Sequence, residues 1–350
     1  MLPGPVVLGC SHKTGTFLLV HLYRLFRKLH SCNATFDTSH KFCGACPTLA
    51  SDTPLVILDS HFTGVPTCDR WRLARVAMTV REPIDIVVSA YDYHRRNMEA
   101  HWTGVALPLP PGALPVVHRH DGRNITMSAD FLGCAPNRTH LTFASYMAAA
   151  HAAMQHALTA TSHRMPANTA ADVSSGAAAG SYASFLLSTP LAVGMLAQLE
   201  HSRTEACKVA IAYARSQATA LVLPLERFAD PATAEPAWRA LQAFLAAGTG
   251  CRDALTDPPQ VFAHVAALLH RSRRDEHASS LAAAEAAHRA ALARKLDRQH
   301  LGGWYARLGA ALGYTEWHGT VPHWTPAVPT QLRDEVRALC VGRHADADWL

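Results

Sequence analysis

The chain has 350 residues, and Lys plus Arg exceed Asp plus Glu by 32 to 27, for a net charge of +5. Hydrophobic residues make up 49% and charged residues 17%, which excludes a disordered, acidic or collagen-like chain and supplies a large core. The mild basic excess suits an anionic small ligand and falls short of the dense basic stripe of a nucleic-acid binder, so no nucleic-acid partner is expected.

Pro5 to Cys10 carries Val6, Val7 and Leu8, the pattern of a short buried strand. The polar turn Ser11-His12-Lys13-Thr14-Gly15-Thr16 follows. Phe17, Leu18, Val20, Leu22, Leu25, Phe26 and Leu29 then recur at helical spacing and predict an amphipathic helix. Residues 30–53 read as a Cys-containing loop, Leu55 to Leu58 as a second strand and Val76 to Val80 as a third. Pro83 suits the first turn of a helix carrying Ile86, Val87, Ala90, Tyr93 and His94. Residues 104–130 are irregular and rich in Pro and His, while 141–165 and 190–218 read as helices. Residues 167–184, dominated by Ala, Ser and Gly, read as a flexible insert. Ala220 to Leu225 is a fourth strand, Pro236 to Ala247 a short helix, and 276–296 a long Ala-rich helix.

Short buried strands alternating with helices predict an α/β fold: a mostly parallel sheet with helices on both faces. The length allows two domains, but the elements read as one domain over residues 1–350, with irregular or inserted segments near 104–140 and 167–184. In such sheets ligands gather beyond the carboxyl ends of the strands. Lys13, His61 and Arg81 each lie within a few residues of a strand end, so three strands can deliver polar groups to one edge.

The nine Cys are an odd number spread along the chain, which is not the pattern of a small disulfide scaffold. Cys43 and Cys46 form a single C-x-x-C with His40 nearby. A surface loop with free thiols or a local disulfide accounts for it, with a metal or redox role as the alternative, and no metal site is predicted. No apolar run is long enough to span a membrane, and the N-terminus lacks the basic segment of a signal peptide. A cytoplasmic protein is therefore expected, with the Golgi lumen as the alternative if an anchor precedes the chain. In that case the sequons at Asn33, Asn124 and Asn137 become relevant. No pattern specifies an oligomeric state.

Lys13-Thr14-Gly15-Thr16 sits between a strand end and a helix start. Unpaired N–H groups and the helix dipole favour an anion there, Gly15 permits close backbone approach, Thr14 and Thr16 offer hydroxyls, and Lys13 adds a mobile charge. A nucleoside-triphosphate loop places Lys after the second Gly and before Ser or Thr, and no Gly-Lys-Ser/Thr occurs in the chain. The order Lys-Thr-Gly-Thr instead resembles the 5′-phosphosulfate loop of the sulfotransferase superfamily, with Phe17 standing where that family has a hydroxyl residue. Farther on, Arg81, Pro83, Asp85, Ser89 and Tyr91 resemble, at the usual spacing, the family's 3′-phosphate motif R-x-P-x-D-x-x-x-S-x-Y. Arg81 would act as a charged fork and Ser89 as a neutral donor on one phosphate. The resemblance spans residues 5–100, with a fainter echo from Ala220 to Ala247 that includes Leu-Pro-Leu-Glu-Arg-Phe.

The resemblance implies a P-loop NTPase-like fold and 3′-phosphoadenosine 5′-phosphosulfate (PAPS) as sulfuryl donor. The product is 3′-phosphoadenosine 5′-phosphate (PAP), and no metal is required. Lys13, Thr14, Gly15, Thr16, Phe17, Arg81 and Ser89 would bind the cofactor, with Lys13 also catalytic. Many members place a His after the second strand as the base that takes the acceptor hydroxyl's proton, and His61 stands there, with His12 second. Arg294-Lys295 with Gly302-Gly303-Trp304 loosely resembles a C-terminal cofactor-clamping loop, and Arg271, Arg273 and Arg274 are equal candidates. The acceptor is expected to be a carbohydrate or another small polar molecule, because aromatics are only 7% of the chain. The alternatives are a P-loop small-molecule kinase and a non-catalytic anion-binding protein of the same fold.

Overall fold

The computed structural model describes residues 6–10, 13–16, 18–20, 22, 34–37, 55–58, 75–96, 103–108, 116–118, 124–126, 139–161, 180–216, 220–229, 231–246, 301–315 and 329–340. Phe17, His61, the Cys43–Cys46 pair, the expected helix at 276–296, and Arg271, Arg273, Arg274, Arg294 and Lys295 lie outside the described residues.

The four expected apolar runs are strands. They are β1 (Val6–Cys10), β3 (Leu55–Leu58), β4 (Arg75–Val80) and β7 (Ala220–Pro224). A further strand, β2 (Ala34–Asp37), corrects the expectation of a loop over 30–53. Its four residues are too few to show a pattern, and pairing with β3 is what makes them a strand. The five form one parallel sheet in the order β2-β3-β1-β4-β7. Strands of a parallel sheet read as near-continuous apolar runs, which is why these were legible.

The two faces are separable along β4. Val76, Met78 and Val80 join a large cluster with Ile84, Val87 and Tyr91 of α1 (Pro83–Arg95). The same cluster takes in residues of α2 (Thr139–Thr161), α3 (Tyr182–Ser188) and α4 (Leu191–Ser216). Arg75, Ala77 and Thr79 alternate to the opposite face. There the Arg75 guanidinium lies 4.3 Å from the ring centroid of Phe244 on α6 (Pro231–Ala246), so helices cover both faces. Between β7 and α6 runs the short α5 (Leu225–Ala229).

Four other expectations need correction. The stretch 104–130 holds a small antiparallel hairpin, β5 (Val116–His118) with β6 (Asn124–Thr126). The intervening Asp121-Gly122 is a turn signal, and three-residue strands are too short to display alternation. The insert at 167–184 is invaded from its C-terminal end by α3, whose first residue is Tyr182 and whose N-cap is Ser181, accepting from the Ser184 N–H at 3.2 Å. The helix expected from Pro236 begins at Pro231 and runs through Pro236. Burial of Ala234, Ala237, Trp238 and Leu241 along one side outweighs the hydrogen bond Pro236 cannot make.

Gly302-Gly303-Trp304 is not a loop. It lies in α7 (Leu301–Ala311), and Trp304 is buried with its Nε1–H donating to the Leu339 carbonyl of α8 (Pro329–Cys340) at 2.9 Å. A tryptophan consumed by helix packing is not available to clamp a ligand. A disulfide joins Cys207 of α4 to Cys340 of α8, and both cysteines are fully buried. Among the described residues no helix is long and apolar enough to cross a membrane, and no group of His, Cys, Asp or Glu is arranged to hold a metal ion.

Candidate functional site

The strand order locates the site before any side chain is considered. From β1 the chain moves to the β2 side of the sheet, and from β4 it moves to β7 on the other side. The direction of winding therefore reverses between β1 and β4, and the crevice beyond their carboxyl ends is where ligands bind in such sheets. Lys13 follows β1 and Arg81 follows β4, so the two sequence motifs share that end of the sheet.

Contacts draw them together. The Arg81 Nη1–H donates to the Lys13 carbonyl at 3.4 Å. The Lys13 ammonium stands over the ring of Tyr93, 2.7 Å from its centroid, and so is held by the face of α1. Ser89 is half-buried and lies one turn before Tyr93, so the two share a helix face. Lys13, Arg81 and the Ser89–Tyr93 face thus border one region.

The loop backbone is unusual. Lys13 has φ 61°, a left-handed conformation that costs a non-glycine residue about 1–2 kcal/mol. Such outliers concentrate at ligand-binding turns. Gly15 has φ 130°, and its carbonyl accepts the Leu19 N–H at 3.0 Å as the first helical bond. A Cβ on Gly15 would sit 3.0 Å from Thr79 Oγ1 and 3.4 Å from Leu225 Cδ1. Thr79 is only 1% exposed, so the clash has no easy outlet. Gly15→Ala is therefore expected to cost about 1–3 kcal/mol of stability and to lower affinity for any anion held on the loop. Thermal melts with and without ligand would check this, and an unchanged midpoint would contradict the steric account. Thr14 is fully buried, whereas Thr16 is partly exposed with its Oγ1 3.5 Å from Cys10 Sγ.

Behind the two cations lies an acidic layer that the sequence motifs did not reveal. Glu82, fully buried, caps α1 by accepting the Asp85 N–H through Oε2 at 2.9 Å. The Glu82 N–H donates to Glu226 Oε1 at 3.0 Å, and the Tyr314 hydroxyl donates to Glu226 Oε2 at 2.9 Å. Burial pushes the Glu226 carboxyl above the usual carboxylate range, against the Glu82 N–H and the Arg81 charge, which pull it down. Burial also holds the Tyr314 phenol well above its ordinary value, and the neighbouring Glu226 charge adds to the effect. The signal for Glu226 was present in Leu-Pro-Leu-Glu-Arg-Phe, but its partners are 144 and 88 residues away in sequence.

Of the expected site residues, Lys13, Arg81 and Ser89 border this region, Thr14, Gly15 and Thr16 continue the turn from Lys13, and Phe17 and His61 lie outside the described residues. Two cations, helix-start N–H groups and a hydroxyl-bearing helix face can bind an anion from two directions. Comparison with family models, with curated proteins and with solved structures returns no match for this chain.

Proposed function

We propose that the chain is a PAPS-dependent sulfotransferase with a P-loop-like fold. One observation carries the reading: the Arg81 guanidinium reaches the Lys13 carbonyl, so the turn suited to a phosphosulfate adjoins the turn suited to a second phosphate. The donor set fits a doubly anionic nucleotide. Lys13 is a cation held over the Tyr93 ring, Gly15 allows the turn its φ of 130°, and Arg81 offers a fork near the hydroxyl of Ser89.

In this mechanism Arg81 and Ser89 hold the 3′-phosphate end and so orient the donor for in-line transfer. Lys13 and the loop N–H groups offset the charge that grows at the 5′-phosphate as the sulfuryl group departs. His61 accepts the proton of the acceptor hydroxyl as its oxygen bonds to sulfur. The acceptor is a carbohydrate or another small polar alcohol.

Binding of PAP without metal tests the reading, because binding of Mg·ATP in its place would favour a small-molecule kinase. Arg81→Ala is expected to weaken PAP about 10–100-fold, the loss of a charged hydrogen-bond donor, as read by calorimetric titration. His61→Ala is expected to keep PAP affinity and to lower turnover by about 10²-fold, as read by transfer of labelled sulfate from PAPS. Full activity in that variant would remove His61 from the mechanism and leave the base unassigned. Binding of PAP with no transfer to any hydroxyl acceptor would favour a non-catalytic anion-binding protein.

A further inference from the structure

The Arg81–Glu82 peptide is the joint between the end of β4 and the start of α1. A peptide unit is planar, so fixing the Glu82 N–H also fixes the Arg81 carbonyl and the Arg81 Cα, and with β4 holding the other side of that Cα little freedom is left to the bond from which the Arg81 side chain springs. That N–H precedes the helical ladder and needs a partner from elsewhere. Glu226 provides it at 3.0 Å from the first turn of α5, and Glu226 is itself held at 2.9 Å by Tyr314, which follows α7. Two elements remote in sequence thus meet on the peptide next to the arginine.

We propose that Glu226 is a positioning residue for Arg81: its carboxylate, braced by Tyr314, locks the Arg81–Glu82 peptide so that the guanidinium is presented to the second phosphate of a doubly phosphorylated nucleotide. The inference rests on the sulfotransferase reading above. It adds a residue that touches neither donor nor acceptor and acts only through its neighbour. Among the described residues, the charged groups around Glu226 and its Tyr314 partner are Arg81, Glu82 and Asp85. Arg81 is the only cation of that set, so the carboxylate also attracts the guanidinium toward the joint and limits the directions open to it.

The test compares PAP with adenosine 5′-monophosphate, which lacks the 3′-phosphate, by calorimetric titration on the full chain. Wild type is expected to prefer PAP. Glu226→Ala is expected to lose about tenfold in PAP affinity while its affinity for the monophosphate stays unchanged. Glu226→Gln is expected to restore the preference, since its amide carbonyl accepts the Glu82 N–H and its NH₂ donates to the Tyr314 oxygen. Tyr314→Phe removes one hydroxyl with little change of shape and is expected to show a smaller loss, again confined to PAP. A residue of merely structural importance would weaken both ligands together. If Glu226→Ala is unfolded by circular dichroism, Tyr314→Phe decides the matter. A wild type that prefers PAP, with variants that retain that preference or lose both ligands in parallel, overturns the positioning role alone. A wild type that does not distinguish the two nucleotides overturns the sulfotransferase reading and the inference with it.

Discussion

Lys13→Met is expected to lower sulfuryl-transfer turnover about 10²–10³-fold, the scale of losing one charge-stabilising donor at a reacting centre. Methionine keeps the length and packing of the stem, and it occupies the same φ of 61° with no new strain relative to lysine, so the substitution isolates the charge. The ammonium is already confined, because it stands over the Tyr93 ring at the border of the crevice. It therefore needs little reorganisation to reach an anion at the loop, and a preorganised charge gains most in the transition state, where negative charge at the leaving phosphate is greatest. PAP affinity should fall far less than turnover. The measurement is single-turnover transfer from labelled PAPS to whichever acceptor a screen of hydroxyl compounds yields. Weakened PAP binding with wild-type turnover would reassign Lys13 to ground-state binding.

Opening the Cys207–Cys340 disulfide is expected to cost about 4–5 kcal/mol of stability, because it closes a long loop and so restricts the unfolded chain. The two cysteines are 133 residues apart in sequence, and the loop-entropy term grows with the logarithm of that separation. In the folded chain the bond pins α8 to α4, where Leu332 and Val336 are also buried. α7 packs against both α8 and α1 and leads into Tyr314, so loosening α8 also reaches the brace behind Arg81. The experiment is a denaturant melt of the Cys207→Ser/Cys340→Ser double variant beside wild type, with thiol counting by mass spectrometry. Coincident midpoints would show that helix packing alone holds α8 in place.

Elements whose identity rests on local pattern were legible in the sequence. β1, β3, β4 and β7 are runs rich in aliphatic residues, so each carries its own signal. The start of α1 was legible because Pro83 suits a first helical position whatever packs around it. That Lys13 and Arg81 come to one end of the sheet was legible as well, since each follows one of those strands. β2 was not legible, because four residues acquire strand character only by pairing with β3. Gly302-Gly303 suggested a loop, yet burial of Trp304, Tyr305 and Leu308 outweighs the poor helix propensity of two glycines.

Strand type, the position of the first helix after β4 and the residues of the turns at Lys13 and Arg81 follow from residues within about one helical turn of each other, so the chain encodes them locally. The neighbour relations do not. That β1 lies between β3 and β4, that Cys207 meets Cys340, and that Glu226 holds the peptide beside Arg81 are contacts between residues far apart along the chain. Their energy comes from desolvation and from hydrogen bonds that exist only once the elements have docked, and no local pattern records which partner will be there.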